Sequence, residues 1–167
     1  DQIDMFNGAL NRYSWKLVGK KELYIPYNSA KINDRRKKYR DIISAHHLNQ
    51  SLTRYELHRV WVVEATVREG INHLFRKRLF YLDEDSWSIA AVDCFDDRGN
   101  YWKFQEGHLI TAPFVPTVTA IPEVIYDMQT GRYFLTALQN EDKVNDFKIE
   151  FKDSYFTKNS MKKKATR

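Results

Sequence analysis

Two apolar runs dominate the pattern of this chain. Arg54–Val67 and His73–Leu82 are dense in Val, Leu, Phe, Tyr and Trp, and the joint Arg68-Glu69-Gly70-Ile71-Asn72 is short and carries a glycine. Such runs around such a joint predict a β-hairpin. Strands usually span about 3–10 residues, so Arg54–Val67 predicts a large, curved sheet. Upstream, Arg12–Ile25 alternates, with Tyr13, Trp15, Leu17, Leu23 and Ile25 on one face and Arg12, Ser14, Lys16, Lys20 and Glu22 on the other. Gly19 interrupts the apolar side and marks a bend or bulge. Pro26 ends this strand. Residues 33–47 are polar and predict a short helix capped by Asp34, with Tyr39, Ile42 and Ile43 as its apolar stripe.

Beyond the hairpin, Asp83-Glu84-Asp85-Ser86 predicts a turn into a strand over Trp87–Phe95, and Asp96-Asp97-Arg98-Gly99-Asn100 a turn into Tyr101–Thr111. The Pro-punctuated stretch from Pro113 to Pro122 reads as a connection to a short strand at Val124-Ile125-Tyr126. A turn closed by Gly131 then leads to Tyr133-Phe134-Leu135. Helical patterns between the strands are absent, which excludes parallel crossovers. The expectation is mainly β: an antiparallel meander of six or seven strands, with residues 1–156 as one domain and 157–167 as a basic tail.

Composition narrows this picture. A 43% hydrophobic content excludes a disordered chain, and 14% aromatic residues suit wide sheet faces. The single cysteine, Cys94, excludes an intrachain disulfide and reads as a buried structural thiol within Ile89–Phe95. The net charge of +5 is concentrated in Arg35–Arg40 and in the tail. No nucleic-acid motif accompanies it, so solvated charge or contact with anionic lipid is favoured over nucleic acid. The longest weakly charged stretch, Gly107–Pro122, is broken by prolines and predicts no transmembrane helix. The chain opens at Asp1, which reads as a mature form or an excised part.

Candidate chemistry is sparse. The six glycines are scattered, so no phosphate loop forms. Histidines 46, 47, 58, 73 and 108 show no zinc-ligand spacing, and the acidic groups at 83–85 and 96–97 fit turns. Neither a cofactor nor a metal is expected, and no nucleophile signature argues for an enzyme. Charges embedded in strands stand out instead. Arg59 shares a face with Leu57, Trp61 and Val63, and Arg78 lies in the next run. They read either as cross-strand ion pairs or as partners for an anionic headgroup.

The stretches Asn11–Glu22, Ile25–Asn28, Arg54–Ala65 (with its Tyr-Glu-Leu-His-Arg-Val-Trp run), Phe80–Trp87 and Tyr155–Thr157 resemble a bacterial family of unknown function, DUF1329, often described as similar to outer-membrane lipoprotein-sorting proteins. The resemblance implies a secreted Gram-negative protein in the periplasm or at the outer membrane, of which this chain is the C-terminal portion. It also implies part of a half-open β-barrel like those of the LolA and LolB lipoprotein carriers. No catalytic motif is carried over from the family. The leading expectation is a non-enzymatic protein that holds a lipid, a lipoprotein or another hydrophobic ligand in a concave sheet face. Trp61, Val63, Phe80, Trp102 and Phe104 would line that face, with Arg59 and Arg78 as headgroup partners. The rival expectation is an interaction module that docks on a membrane transport complex, with an open sheet edge prone to self-association.

Overall fold

The computed structural model describes residues 2–143 and 146–166. Seven strands form one antiparallel sheet in sequential order: β1 Tyr13–Pro26, β2 Tyr55–Val67, β3 Lys77–Asp83, β4 Ile89–Phe95, β5 Tyr101–Ala112, β6 Thr117–Asp127 and β7 Tyr133–Thr136. The sheet is an open meander in which, among the described residues, β1 and β7 have no strand neighbour on their outer edges. It curls strongly. The Ser29 N–H donates to the Leu109 carbonyl at 3.0 Å, which joins the end of β1 to β5, four strands away.

That curl defines two faces. Inside it, Ile25, Val60, Val62, Ala90 and Leu109 form one buried cluster. Further along the same face, Ile32, Ile42, Leu48 and Leu52 from the 27–54 connection pack on Val124, Tyr126 and Leu135. The concave face is therefore largely filled by the protein's own side chains. The opposite face carries a third cluster, in which Tyr13, Ala65, Val67, Phe80, Val92 and Cys94 are covered by Met5, Phe6 and Phe75. Gln105 Nε2 anchors the N-terminal cover by donating to the Gln2 and Met5 carbonyls at 3.3 Å.

Several boundaries differ from the pattern. Gly19 is a bulge with φ of 140°, and the ladder slips there from Leu17↔Val63 to Gly19↔Val62. One extra residue inverts the parity of all that follows. Tyr13, Trp15 and Leu17 therefore lie on the outer face and Leu23 and Ile25 on the inner one, not all on one face. The second hairpin strand starts at Lys77 rather than His73, because His73 and Phe75 leave the ladder to pack over the outer-face cluster. β4 starts at Ile89, after Trp87 with φ of 58°.

β6 begins at Thr117, inside the stretch read as a connection, of which only residues 113–116 form the turn. The ladder passes from Gly107↔Glu123 to Leu109↔Ala120, so Ile121 and Pro122 together oppose His108. A proline at a bulge removes no ladder hydrogen bond. The short helix α1 spans Tyr39–Ile42 and is not capped by Asp34. Asp34 instead binds the backbone N–H and guanidinium of Arg36, while the Asp41 carboxylate accepts the Lys38 N–H at 2.8 Å. Within the tail, Lys158–Ala165 forms helix α2, whose first turn donates the Ser160 N–H to Thr157 Oγ1 at 3.3 Å.

Candidate functional site

The register assigns each expected lining residue to a face. Trp61, Val63 and Phe80 lie together, paired as Trp61↔Leu82 and Val63↔Phe80, but on the outer face rather than inside the curl. The reason is parity: Val60 and Val62 take the concave side, so their neighbours must point away. Phe104 lies on the inner face, because its partners Asp93 and Tyr126 alternate with the Val92–Gln105 pair that continues the row of Phe80. Trp102 sits at the margin of the outer cluster, edge-on to Phe75 at 5.6 Å, and its Nε1 donates to Asp127 at 3.2 Å.

The outer residues build a trough. Phe6 and Leu10 lie against Trp15, Val63, Phe80, Leu82 and Ile89 around a cavity of about 180 Å³. Its floor is aromatic. Phe80 meets Phe6 at 5.4 Å and Trp15 at 5.7 Å. The rim is apolar and open, since Leu10 is more than half exposed, as is Leu17, which pairs with Val63 in the ladder. At one end Trp61 stacks on Trp87 at 6.4 Å, and the Lys20 ammonium lies 4.2 Å from the Trp61 ring. Lys20 also pairs with Glu84 at 2.8 Å, while Arg59 lies 4.0 Å from Glu84 and 3.9 Å from Glu22. The trough is thus apolar along its length and ends in a cluster of paired charges, Lys20 and Arg59 with Glu22 and Glu84.

Arg78 plays a different part. It is fully buried, and its guanidinium donates to the Tyr13 hydroxyl at 3.1 Å and lies 3.3 Å from His73 Nε2. It also lies 4.9 Å from the Phe75 ring and within 5.5 Å of the rings of Phe6 and Tyr13. Burial lowers the pKa of Arg78 and that of His73, and raises that of Tyr13. Arg78 is a strut within the outer core, whereas Arg59 is the arginine that reaches solvent. Burial also pushes the Cys94 thiol up to about 12, which makes it a poor nucleophile.

Sequence spacing missed a second convergence. His58, Asp83 and Asp85 bring ligand atoms within 4.8 Å of one another. His58 Nδ1 and Asp83 Oδ1 are already hydrogen-bonded at 2.9 Å, and Asp83 Oδ2 accepts from the backbone N–H and hydroxyl of Ser86. Asp83 is buried, and Tyr27 lies over the His58 ring at 4.2 Å. The arrangement pins the β3–β4 turn against β2. Only a three-dimensional pairing across 25 residues reveals it.

Comparisons with known proteins agree with this architecture. A family model described as "Protein of unknown function (DUF1329)" matches residues 1–162. An uncharacterized protein of Pseudomonas aeruginosa is 45% identical over 168 aligned residues, which cover all of this chain and 37% of that protein. The chain thus spans well under half the length of this relative. Among solved structures, a domain from Vibrio parahaemolyticus, provisionally described as an outer membrane lipoprotein-sorting protein domain, superposes with a TM-score of 0.53 at 14% identity. It is matched over 95% of this chain and 52% of that one. A family protein from Desulfovibrio piger gives 0.50 at 10% identity, over 90% and 47% of the two chains. At these identities the likeness is one of fold.

Proposed function

The chain belongs to the DUF1329 family of proteins of unknown function, and from that premise we propose that it binds a lipid, or the acyl part of a lipoprotein, in the cell envelope without catalysing a reaction. The open apolar trough on the outer face carries this reading. Acyl chains gain roughly 0.8 kcal/mol per buried CH₂, and the trough offers Leu10, Trp15, Val63 and Phe80, with Leu17 beside Val63. At its end Lys20 and Arg59, paired with Glu84 and Glu22, offer charged partners of both signs to a headgroup. The cavity of about 180 Å³ is below the ~300–1,000 Å³ of a closed small-molecule site, so the ligand lies along the open trough and is only partly engulfed. The provisional lipoprotein-sorting description of the Vibrio domain supports the choice of ligand class and of the envelope as location.

The test is titration with laurate, followed by tryptophan fluorescence, since Trp15 lines the cavity and Trp61, opposite Leu82 in the ladder, stacks on Trp87. Saturable binding is expected, weakened by Leu17→Asp and Trp87→Ala. Both side chains are exposed, so the variants should keep the fold. A flat titration, together with an organic extract of the native protein free of lipid, would sink the reading.

A second reading rests on the outer edge of β1. This strand of 14 residues has a neighbour only in β2, and Trp15, Leu17 and Tyr24 along it are exposed. Long apolar edges accept further strands. Under this reading β1 docks on a strand of a membrane-protein partner or of another copy. Concentration-dependent association lost on placing proline at Glu22, whose N–H faces away from β2 in the phase set by the Tyr27 N–H to Arg54 carbonyl bond, would favour it over ligand carriage.

A further inference from the structure

The inner face retains a second cleft, remote from the trough, between the β5–β6 hairpin and the loop that carries His46–Gln50. It has a volume of about 350 Å³, with Phe104, Glu106 and Tyr126 on one wall and His46, His47 and Gln50 on the other. That size falls within the ~300–1,000 Å³ typical of small-molecule sites. One wall is an aromatic ladder. Phe104 and Tyr126 stack at 6.4 Å with an interplanar angle of 18°, and Tyr126 stacks on Tyr133 at 5.9 Å. His46 Nδ1, 2.8 Å from the Gly131 carbonyl, ties the loop to the β6–β7 turn at the mouth.

The same wall holds a carboxyl group that burial pushes toward its protonated form, so that its ionised form needs a cation beside it. Glu106 is only 6% exposed. Its Oε1 accepts the Tyr55 hydroxyl at 2.9 Å, the Tyr126 hydroxyl also donates to the carboxylate, and its Oε2 lies 3.8 Å from His108 Nε2. No lysine or arginine of the described residues lies within 4.0 Å of it. His108 is fully buried, and neither of its ring nitrogens has a hydrogen-bond partner among the described residues. Burial pushes its imidazole down to about 4, so it is neutral near pH 7 and cannot act as the counter-ion. Arg132 and Asp127 also border the cleft, and Arg132 is exposed at its rim.

A desolvated carboxylate is costly unless a cation meets it, and aromatic faces attract organic cations strongly when water is excluded. The cleft places both features on one wall and leaves room for a ligand between them and the loop. We propose that this cleft binds an organic ammonium group, with Glu106 as its counter-ion and the Phe104 and Tyr126 rings as its aromatic contacts. The proposal is independent of acyl binding in the trough, which uses the other face. The ammonium belongs either to a free amine or to the headgroup of a zwitterionic lipid, and the chemistry at Glu106 is the same for both.

The experiment is ligand-observed NMR with choline, its neutral isostere 3,3-dimethylbutanol, and dihexanoylphosphatidylcholine below its micellar concentration. Choline should bind saturably and at least about tenfold more tightly than the isostere. Glu106→Gln should weaken choline by a similar factor while its thermal midpoint shows it folded. If that variant does not fold, the choline-to-isostere ratio on the wild-type protein decides alone. Tighter binding of the phospholipid than of choline, with the same dependence on Glu106, identifies a headgroup. Equal binding of the two identifies a free amine. Equal binding of choline and its isostere, affinity unchanged in Glu106→Gln, or no saturable binding of either cationic probe overturns the proposal.

Discussion

Gly107→Ala tests how the N-terminal segment is seated on the sheet. Met5 lies over β5 at this glycine, in the cover that buries Tyr13, Phe80 and Val92. A Cβ at position 107 would stand 2.9 Å from Ala120 Cβ, 3.1 Å from the Ile89 carbonyl oxygen and 3.2 Å from Met5 Sδ. Carbon contacts are comfortable at about 3.5–4.0 Å. Of the three neighbours only the Met5 sulfur can swing away, because the other two are fixed by the backbone. Overpacking of this kind costs about 1–3 kcal/mol. For a chain of this size each kcal/mol lowers Tm by about 2–4 °C, so a fall of roughly 2–12 °C is expected. Thermal unfolding and urea titration measure it, with an unchanged m-value showing that stability alone has changed. Ala120→Gly removes the nearest obstacle. By itself it costs about 0.5–1 kcal/mol, yet the double variant should be more stable than the sum of the singles by about 1 kcal/mol or more. A Gly107→Ala midpoint within about 1 °C of wild type refutes the packing argument. An additive double variant refutes Ala120 as the obstacle.

Phe80→Ala should lower stability by about 3–5 kcal/mol in urea titration, since this ring is 2% exposed and meets both Phe6 and Trp15. The acid limb of stability should depend on His108, whose folded pKa of about 4 lies below its unfolded value. Its neutral form is compatible with the fold above about pH 6.5, and stability falls as pH drops from there toward 4, by up to about 3 kcal/mol. Glu106, whose pKa is raised chiefly by burial, opposes this trend because its protonated form suits the fold, and Tyr55 faces both groups. His108→Leu should therefore flatten the acid loss in pH-dependent denaturation while leaving stability near pH 7 unharmed, and an unchanged acid limb would contradict it. Cys94, buried and with its pKa raised to about 12, should react with a thiol reagent only at the rate of unfolding. Rapid modification of the native protein would show that the outer core opens locally.

The meander was legible because its signals are local. The hairpin about Gly70, the turn glycines 99 and 131 and the acidic turns all act within a few residues, and each produced the expected strand order. Face assignment was not legible, because parity is cumulative. One bulge reverses every later side chain, and the ladder slips at Gly19, between Tyr81 and Leu82, between Cys94 and Phe95, and between Gly107 and Leu109. Phe80 and Phe104 look alike in the sequence, yet they lie on opposite faces of the sheet. Arg59 and Arg78 looked alike for the same reason. The pattern shows that each sits among apolar neighbours, but only the 71–75 loop folding over Arg78 separates a buried strut from a surface cation. The cluster of Tyr55, Glu106 and His108 left no periodic trace, since it forms where the curl brings the start of β2 across to β5.

The Gly19 bulge also explains how one strand serves two purposes. Without it, the apolar residues of β1 would all face one way, leaving either the curl without Ile25 or the trough without Trp15 and Leu17. With it, the second half of β1 completes the inner core against Leu109 while the first half lines the outer face. A filled concave interior and an open apolar trough therefore coexist in a single sheet. Deleting Gly19 should restore unbroken alternation and force a choice between them. Burial of Ile25 and Val60 outweighs exposure of Leu17 at roughly 25 cal/mol per Å², so the inner core should persist and Trp15 and Leu17 should be displaced from the trough. The deletion variant should then fold but lose laurate binding, with Trp15 fluorescence shifted toward that of an exposed indole. Retained binding would mean that the trough does not depend on the parity of β1.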